Sequence, residues 1–140
     1  MKKGILFTSL ALLISFSTIS SCKKKKNPGG GGGAVEENLV VTTNPGNGSS
    51  QLPSIGPFNL TVTINSAMPI NGVKIEVNAK KDDGTNPAPY FTQTNNSSIS
   101  VNNFGISNTP LLTPCIVEIK VTSLSKSTNI WNGSYRYSRK

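Results

Sequence analysis

The stretch Val73-Lys74-Ile75-Glu76-Val77-Asn78-Ala79-Lys80 alternates apolar and polar side chains without a break. Successive side chains of an extended strand point to opposite faces, so its four apolar residues share one face and its four polar residues share the other. Such alternation is typical of a strand with one buried face and one solvated face. The stretch therefore predicts a half-buried β-strand, the clearest one in the chain.

The same period of two recurs on both sides of this strand. The apolar members are Phe58, Leu60, Val62 and Ile64, then Cys115, Val117, Ile119 and Val121, and finally Trp131, Tyr135 and Tyr137. Shorter strands are expected at residues 39–43, at residues 90–93 and around Ile99 and Val101. Pro, Gly and Asn separate the segments, and a break is expected at Asn95-Asn96. About seven short strands in roughly 105 residues predict an all-β fold, a single immunoglobulin-like β-sandwich.

The amino-terminal segment has the three parts of a secretion signal. Lys2 and Lys3 form a positive start, an apolar run of about a dozen residues follows, and small residues precede Cys22. The apolar run is too short to span a bilayer stably. A cleaved signal is therefore expected, rather than a permanent membrane helix.

The four residues Ile19-Ser20-Ser21-Cys22 resemble the lipobox of bacterial lipoproteins, which consists of an aliphatic residue, two small residues and cysteine. The resemblance implies that residues 1–21 are a lipoprotein signal peptide. It also implies that a diacylglycerol, with acyl chains such as palmitate, becomes attached to the Cys22 sulfur. Each buried methylene contributes about 0.8 kcal/mol, so several acyl chains would anchor the protein firmly to a membrane.

Residues 22–33 are expected to form a flexible tether. Four lysines at positions 23–26 repel one another, and five glycines at positions 29–33 favour no ordered structure. The lysines would either lie on anionic head-groups or remain solvated, and the sequence leaves both alternatives open.

Residues 34–140 are predicted to be the folded domain, and their charge is nearly balanced. Six of the fourteen basic residues lie at positions 2, 3 and 23–26, which leaves eight basic residues against six acidic ones. A balance of this kind gives little support to nucleic-acid binding. Cys115 is the only cysteine of the domain and has no partner for an internal disulfide.

Few residues of the domain could carry catalysis. The chain has no histidine, which excludes Ser-His and Cys-His dyads and most zinc sites. Cys115 starts an apolar alternation and is interpreted as a core residue, while Glu76 and Glu118 are expected to form cross-strand ion pairs with lysines. Asp82-Asp83-Gly84 has oxygens for calcium, but Lys80 and Lys81 adjoin it and a turn explains it fully. No catalytic residue, cofactor site or metal site is therefore predicted, and the protein is not expected to be an enzyme.

Trp131, Tyr135 and Tyr137 are the only concentrated candidates for a ligand-binding surface. A flat sugar or a peptide would fit across three rings on one exposed face. The alternative is that this face fills the core, which we expect because the residues between the rings, including Asn132 and Arg136, are polar.

The arrangement as a whole resembles small envelope lipoproteins of the Bacteroidota with a lysine-rich stretch after the lipid cysteine and an Ig-like domain. The resemblance implies a lipid-anchored protein of the cell envelope with a non-enzymatic binding, adhesion or structural module. A carbohydrate-binding module and an accessory subunit of an envelope protein complex are the alternatives. Residues 23–26 are basic where surface-exported members tend to be acidic, which favours an outer-membrane lipoprotein facing the periplasm. Surface exposure is the alternative, and the sequence leaves open the membrane face, the ligand, the partner and the oligomeric state.

Overall fold

The computed structural model describes residues 35–140, which form seven β-strands and no helix. In chain order the strands are β1 (Val41–Asn44), β2 (Phe58–Ile64), β3 (Val73–Lys81), β4 (Phe91–Ser97), β5 (Val101–Ile106), β6 (Pro114–Ser123) and β7 (Ile130–Ser138). They form a three-stranded sheet of order β1-β2-β5 and a four-stranded sheet of order β4-β3-β6-β7. Within this range no helix long and apolar enough to cross a membrane is found. The predicted all-β sandwich is confirmed.

The predicted signal peptide, the predicted lipid attachment at Cys22 and the predicted tether at residues 22–33 lie outside the described residues. Within them, the strand order is that of an immunoglobulin-like sandwich. β1, β2 and β5 occupy one sheet, and β3, β6 and β7 occupy the other, as strands A, B, E and C, F, G do in that fold. β4 pairs antiparallel with β3 over seven residues and so widens the second sheet.

The core lies between the two sheets and consists of the alternate apolar residues of the long strands. It includes Leu60, Val62 and Ile64 from β2, the four apolar residues quoted from β3, and Cys115, Val117, Ile119 and Val121 from β6. Burying one Val, Leu or Ile side chain contributes about 1.5–3 kcal/mol, so this layer is the main stabilising element of a domain without a disulfide. The predicted inner faces of β2, β3 and β6 are confirmed.

β4 is longer than the sequence suggested. Asn95 and Asn96 do not end the strand, because they pair with Ile75 and Lys74 of β3 and the ladder continues to Ser97. Backbone pairing with a long central strand thus outweighs the low strand propensity of asparagine.

β5 begins later than the sequence suggested, at Val101 rather than near Ile99, and it buries residues that the sequence did not single out. Ile99 and Val101 are 63% and 47% exposed, whereas Asn102, Phe104 and Ile106 are buried. Phe104 and Ile106 bring more apolar area into the core than Ile99 and Val101 could. The buried amide of Asn102 donates a hydrogen bond to the Ile99 carbonyl oxygen at 3.0 Å, which offsets the cost of its burial.

The two edges of the four-stranded sheet are different. Residues 48–54 run along β7 and bond to its backbone: Gly48 N donates to Ser134 O at 2.7 Å, and Gln51 N to Arg136 O at 2.8 Å. β4 pairs with β3 on one side, and no described strand pairs with its other side. One edge is therefore covered and the other is open.

The segment that enters the domain is held by the buried side chain of Asn129. Its amide nitrogen donates to Glu36 Oε1 at 2.6 Å and to the Glu37 carbonyl oxygen at 2.8 Å. Its amide oxygen accepts from Leu39 N at 2.9 Å, and Ser123 Oγ donates to the second oxygen of Glu36 at 3.0 Å. We call this group the Asn129 clasp. It fixes where the chain enters the sandwich, two residues before β1 begins.

Candidate functional site

The aromatic residues of β7 do not form an exposed platform. Tyr135 and Tyr137 are 2% and 4% exposed and belong to the core, and Trp131 is half-buried and packs against it. The face that carries these rings points into the sandwich, as expected from the polar residues between them.

Trp131 occupies the space that Gly133 leaves free. A Cβ atom built on Gly133 would overlap three ring carbons of Trp131, so the indole lies directly over the glycine backbone. The space over Gly133, between Trp131 and Tyr135, is therefore filled by the tryptophan itself.

Tyr137 joins two loops at one end of the sandwich. Its hydroxyl lies 2.6 Å from the Tyr90 hydroxyl and 2.9 Å from Thr109 Oγ1, and its ring centroid lies 4.7 Å from that of Phe58. Burial raises the pKa of Tyr137 and, more strongly, that of Tyr90. The hydroxyl groups therefore stay protonated at neutral pH and act as links between hydrogen-bonded neighbours.

Tyr135 is just as buried as a residue, and its hydroxyl makes no hydrogen bond within residues 35–140. The hydroxyl still reaches solvent, because it is not one of the buried polar atoms left without a partner in that range, which are on Thr43, Ser66, Glu76 and Thr122. Burial raises the pKa of Tyr135, so the group is a neutral phenol that can donate one hydrogen bond. A hydroxyl that reaches solvent can bond to water, and a ligand atom that enters the cleft could take the place of that water.

Tyr135 and Tyr137 line a cleft of about 350 Å³ between β7 and residues 45–59. We call it the Tyr135 cleft. Its apolar and aromatic walls come from Pro45, Leu52, Pro57, Phe58 and the two tyrosines, and its polar groups from Gln51, Ser54 and Asn59. Binding sites for small ligands are typically concave, mostly apolar and supplied with a few polar groups. The composition of this cleft matches that description.

The local sequence explains why the cleft forms. Residues 48–54 must follow the edge of β7, because their backbone bonds to it, while Pro57 and Phe58 turn the chain back into β2. Leu52, on the rim, is 88% exposed, so a large apolar side chain is available to a ligand. The arrangement can hold an apolar group and donate a hydrogen bond, and its side chains include no carboxylate or thiol.

A second, larger cleft of about 540 Å³ lies on the outer face of the four-stranded sheet. Its side chains include Asn78, Glu118, Lys120, Asn132 and Ser134. Glu118 is already paired with Lys80 at 2.7 Å. We favour the smaller Tyr135 cleft, because its lining residues include two prolines, a leucine and three aromatic residues, whereas Ile119 is the one large apolar residue that lines the outer cleft.

The remaining candidate residues have structural roles. Cys115 is fully buried, its thiol donates to the Thr113 carbonyl oxygen at 3.3 Å, and burial raises its pKa. Asp82 accepts a hydrogen bond from Arg136 Nε at 2.6 Å. Asp83 accepts from the Thr85 hydroxyl and backbone N–H, which lowers its pKa, and Gly84 has a positive φ of 79°. Asp82-Asp83-Gly84 is thus a turn in the described structure.

Of the two glutamates predicted to form ion pairs across strands, Glu118 does so with Lys80, whereas Glu76 pairs within its own strand with Lys74 at 3.2 Å. In the described part of the chain, no three His, Cys, Asp or Glu side chains lie close enough to share a metal ion.

Comparisons with family models, with curated proteins and with solved structures gave no match to this chain. Sequence reasoning selected Tyr135 and Tyr137 but missed residues 45–59, which form the opposite wall of the cleft. The prolines and glycines of that segment indicated only turns. An available signal was the placement of Leu52 and Ile55 among turn residues, since large apolar side chains are uncommon in a solvated loop.

Proposed function

We propose that the protein is a lipid-anchored component of the bacterial cell envelope whose β-sandwich is a non-enzymatic binding module. The lipobox-like residues Ile19-Ser20-Ser21-Cys22 support the anchor, with acyl chains on Cys22. The module binds its ligand in the Tyr135 cleft. The basic residues at positions 23–26 favour the periplasmic side of the outer membrane.

The observation that carries the binding role is the cleft itself, in which the solvent-accessible hydroxyl of Tyr135 lies beside an apolar wall. A ligand that places a carbonyl, ether or hydroxyl oxygen at this hydroxyl would gain a hydrogen bond in a site of low polarity, where such bonds are strong. The flat faces of Pro57 and Phe58 would contact the body of the ligand. A sugar ring and an extended peptide both meet these requirements, and they correspond to the carbohydrate-binding and accessory-subunit alternatives.

The anchor is tested by metabolic labelling with palmitate. The wild-type chain should incorporate label and stay with membranes, and the Cys22→Ala variant should lose the label and be released. Membrane attachment of an unlabelled Cys22→Ala chain would refute anchoring at this cysteine.

The binding role is tested with Tyr135→Phe, which removes only the unpaired hydroxyl. The wild-type and variant proteins are applied to a glycan array and to an array of envelope-derived peptides. We expect a ligand of the wild type to be lost from Tyr135→Phe, with the melting temperature unchanged because no protein hydrogen bond is removed.

Asn132→Ala, in the outer cleft, is the matched control and should bind like the wild type. Binding that survives Tyr135→Phe but is lost in Asn132→Ala would move the site to the outer cleft and contradict the proposal.

A further inference from the structure

The side chains of β4, the strand at the open edge, are more exposed than those of the long strands. In β2, β3 and β6 every second residue is buried, but Thr92, Gln93, Thr94, Asn95 and Asn96 are all exposed. Gln93 and Asn95 pair with Val77 and Ile75, so they lie on the inner side of the sheet. Their exposure shows that β4 extends past the cover of the three-stranded sheet.

An open edge presents unpaired backbone N–H and C=O groups to any other extended strand. Natural proteins usually block such an edge with lysine, proline, a bulge or a short strand. β4 has none of these protections: its sequence Phe91-Thr92-Gln93-Thr94-Asn95-Asn96-Ser97 is uncharged, and its seven pairs with β3 are continuous. By contrast, β1 has four residues and β7 is covered by residues 48–54.

The strand is also complementary to itself. Two identical antiparallel strands are related by a two-fold axis, which gives the same surface on both subunits. When all seven residues of both copies pair, the two-fold axis passes beside Thr94 and places the Thr94 residues of the two copies opposite each other. It places Gln93 opposite Asn95 and Thr92 opposite Asn96, so every central pair joins amide or hydroxyl side chains that can hydrogen-bond across the strands.

We propose that two copies of the chain pair through β4 and form one continuous eight-stranded sheet. No like charges oppose one another at this edge, because the strand has no charged residue. The overhang of β4 leaves room for the two three-stranded sheets on the same side, since the inner positions Gln93 and Asn95 are not covered.

The pairing leaves both Tyr135 clefts free. Each cleft lies at β7, on the opposite edge of the four-stranded sheet from β4, so the two clefts would lie at the two ends of the joined sheet. A ligand with repeated units could engage both, which strengthens binding without a new contact. The pairing itself does not depend on what the cleft binds.

Cysteine cross-linking in membranes tests the pairing and its register with the full chain. Cβ atoms of residues directly opposite one another lie about 4.5–5.5 Å apart, within reach of a disulfide. Thr94→Cys should therefore yield a cross-linked dimer under a copper-phenanthroline oxidant. Thr92→Cys alone should give little product. In this register Thr92 lies opposite Asn96 of the other copy, so the two substituted positions are four residues, or about 13 Å, apart along the strands.

The register predicts one further result: co-expressed Thr92→Cys and Asn96→Cys chains should cross-link to each other. Ser127→Cys, an exposed turn position away from β4, is the control and should stay monomeric, as should the wild type. Equal cross-linking of Ser127→Cys and Thr94→Cys, or cross-linking of Thr94→Cys to a different protein, would overturn self-pairing.

Thr94→Lys provides a test without cross-linking. In one copy the new lysine would lie beside Glu76, its partner on β3, so the fold should be unaffected. In the dimer two lysines would face each other across the axis, and we expect the dissociation constant to rise about tenfold or more.

Sedimentation of non-acylated Cys22→Ser chains over a concentration series would measure this change, with Ser127→Lys as the charge-matched control. A wild type that stays monomeric at every concentration, or an equal weakening by Ser127→Lys, would contradict the proposal.

Discussion

The two edge strands of the four-stranded sheet, β4 and β7, differ in what covers them and in what their inner-facing side chains contact. The inner positions of β7 carry Tyr135 and Tyr137, which are buried, and residues 48–54 cover its edge. The inner positions of β4 carry Gln93 and Asn95, which are exposed, and its edge is open. One sheet thus has an edge that belongs to the core and an edge that contributes little to stability and is free to interact.

The largest expected difference comes from truncating one inner-facing side chain on each edge. Tyr137→Ala should lower the free energy of unfolding by about 3–5 kcal/mol, because it removes a buried ring and leaves a cavity. Gln93→Ala, at an exposed inner position of β4, should change it by less than about 0.5 kcal/mol. Urea denaturation measures both. Similar losses for the two variants would mean that β4 is packed as β7 is.

A smaller effect is expected from adding one methyl group to an edge. Gly133→Ala should displace the Trp131 ring that lies over the glycine, at a cost of about 1–3 kcal/mol. Trp131 is the only tryptophan, so its fluorescence emission should shift to longer wavelength as the ring becomes exposed. Gly105→Ala is the control on the edge strand β5, where an added Cβ meets no atom within 4 Å. An unshifted emission spectrum for Gly133→Ala would contradict the packing described.

Removing one hydroxyl group separates the two tyrosines of β7. Tyr137→Phe loses hydrogen bonds to Tyr90 and Thr109 and should cost about 1–2 kcal/mol. Tyr135→Phe should leave the free energy of unfolding within about 0.5 kcal/mol of the wild type. Thermal denaturation of the two variants measures these losses of stability. A loss for Tyr135→Phe as large as that for Tyr137→Phe would reveal a hydrogen-bond partner for the Tyr135 hydroxyl.

The smallest effect is the response to alkaline pH. Burial raises the pKa of Tyr135 and Tyr137 above the unfolded value of about 10. The folded state therefore retains protons that the unfolded state releases. The contribution of the two protonated tyrosines to the free energy of unfolding is fully present below about pH 10 and is lost as the pH rises toward their folded pKa values. At about pH 10.5 each tyrosine should cost less than about 1 kcal/mol. Half-ionisation of all three tyrosines near pH 10 in the folded protein, seen by ultraviolet absorbance, would refute this.

The strands that bury one apolar face could be predicted from the sequence. The strands whose bounds depend on backbone pairing or on a single hydrogen bond could not. β2, β3 and β6 were predictable, because their apolar residues recur at every second position, with Ile116 of β6 as an exception on the outer face. β5 was not, because its inner face includes Asn102, whose burial depends on a hydrogen bond to the Ile99 carbonyl oxygen.

The candidate site was half predictable for the same reason. Tyr135 and Tyr137 stand out as aromatic residues at a spacing of two. The wall opposite them depends on residues 48–54 following β7, a contact between segments more than 80 residues apart. No local pattern in the sequence encodes that contact.

The Asn129 clasp has a mechanical consequence for a domain held by its amino terminus. A pull on the chain at residue 35 would first reach the bonds that join Glu36, Glu37 and Leu39 to one asparagine side chain. These bonds would have to break before the pull reached the four-residue strand β1, which on its own could be peeled from β2 one pair at a time. In the proposed lipid-anchored form, a pull at residue 35 would thus be resisted first by the hydrogen bonds of one asparagine side chain, and β1 would be loaded only after they break.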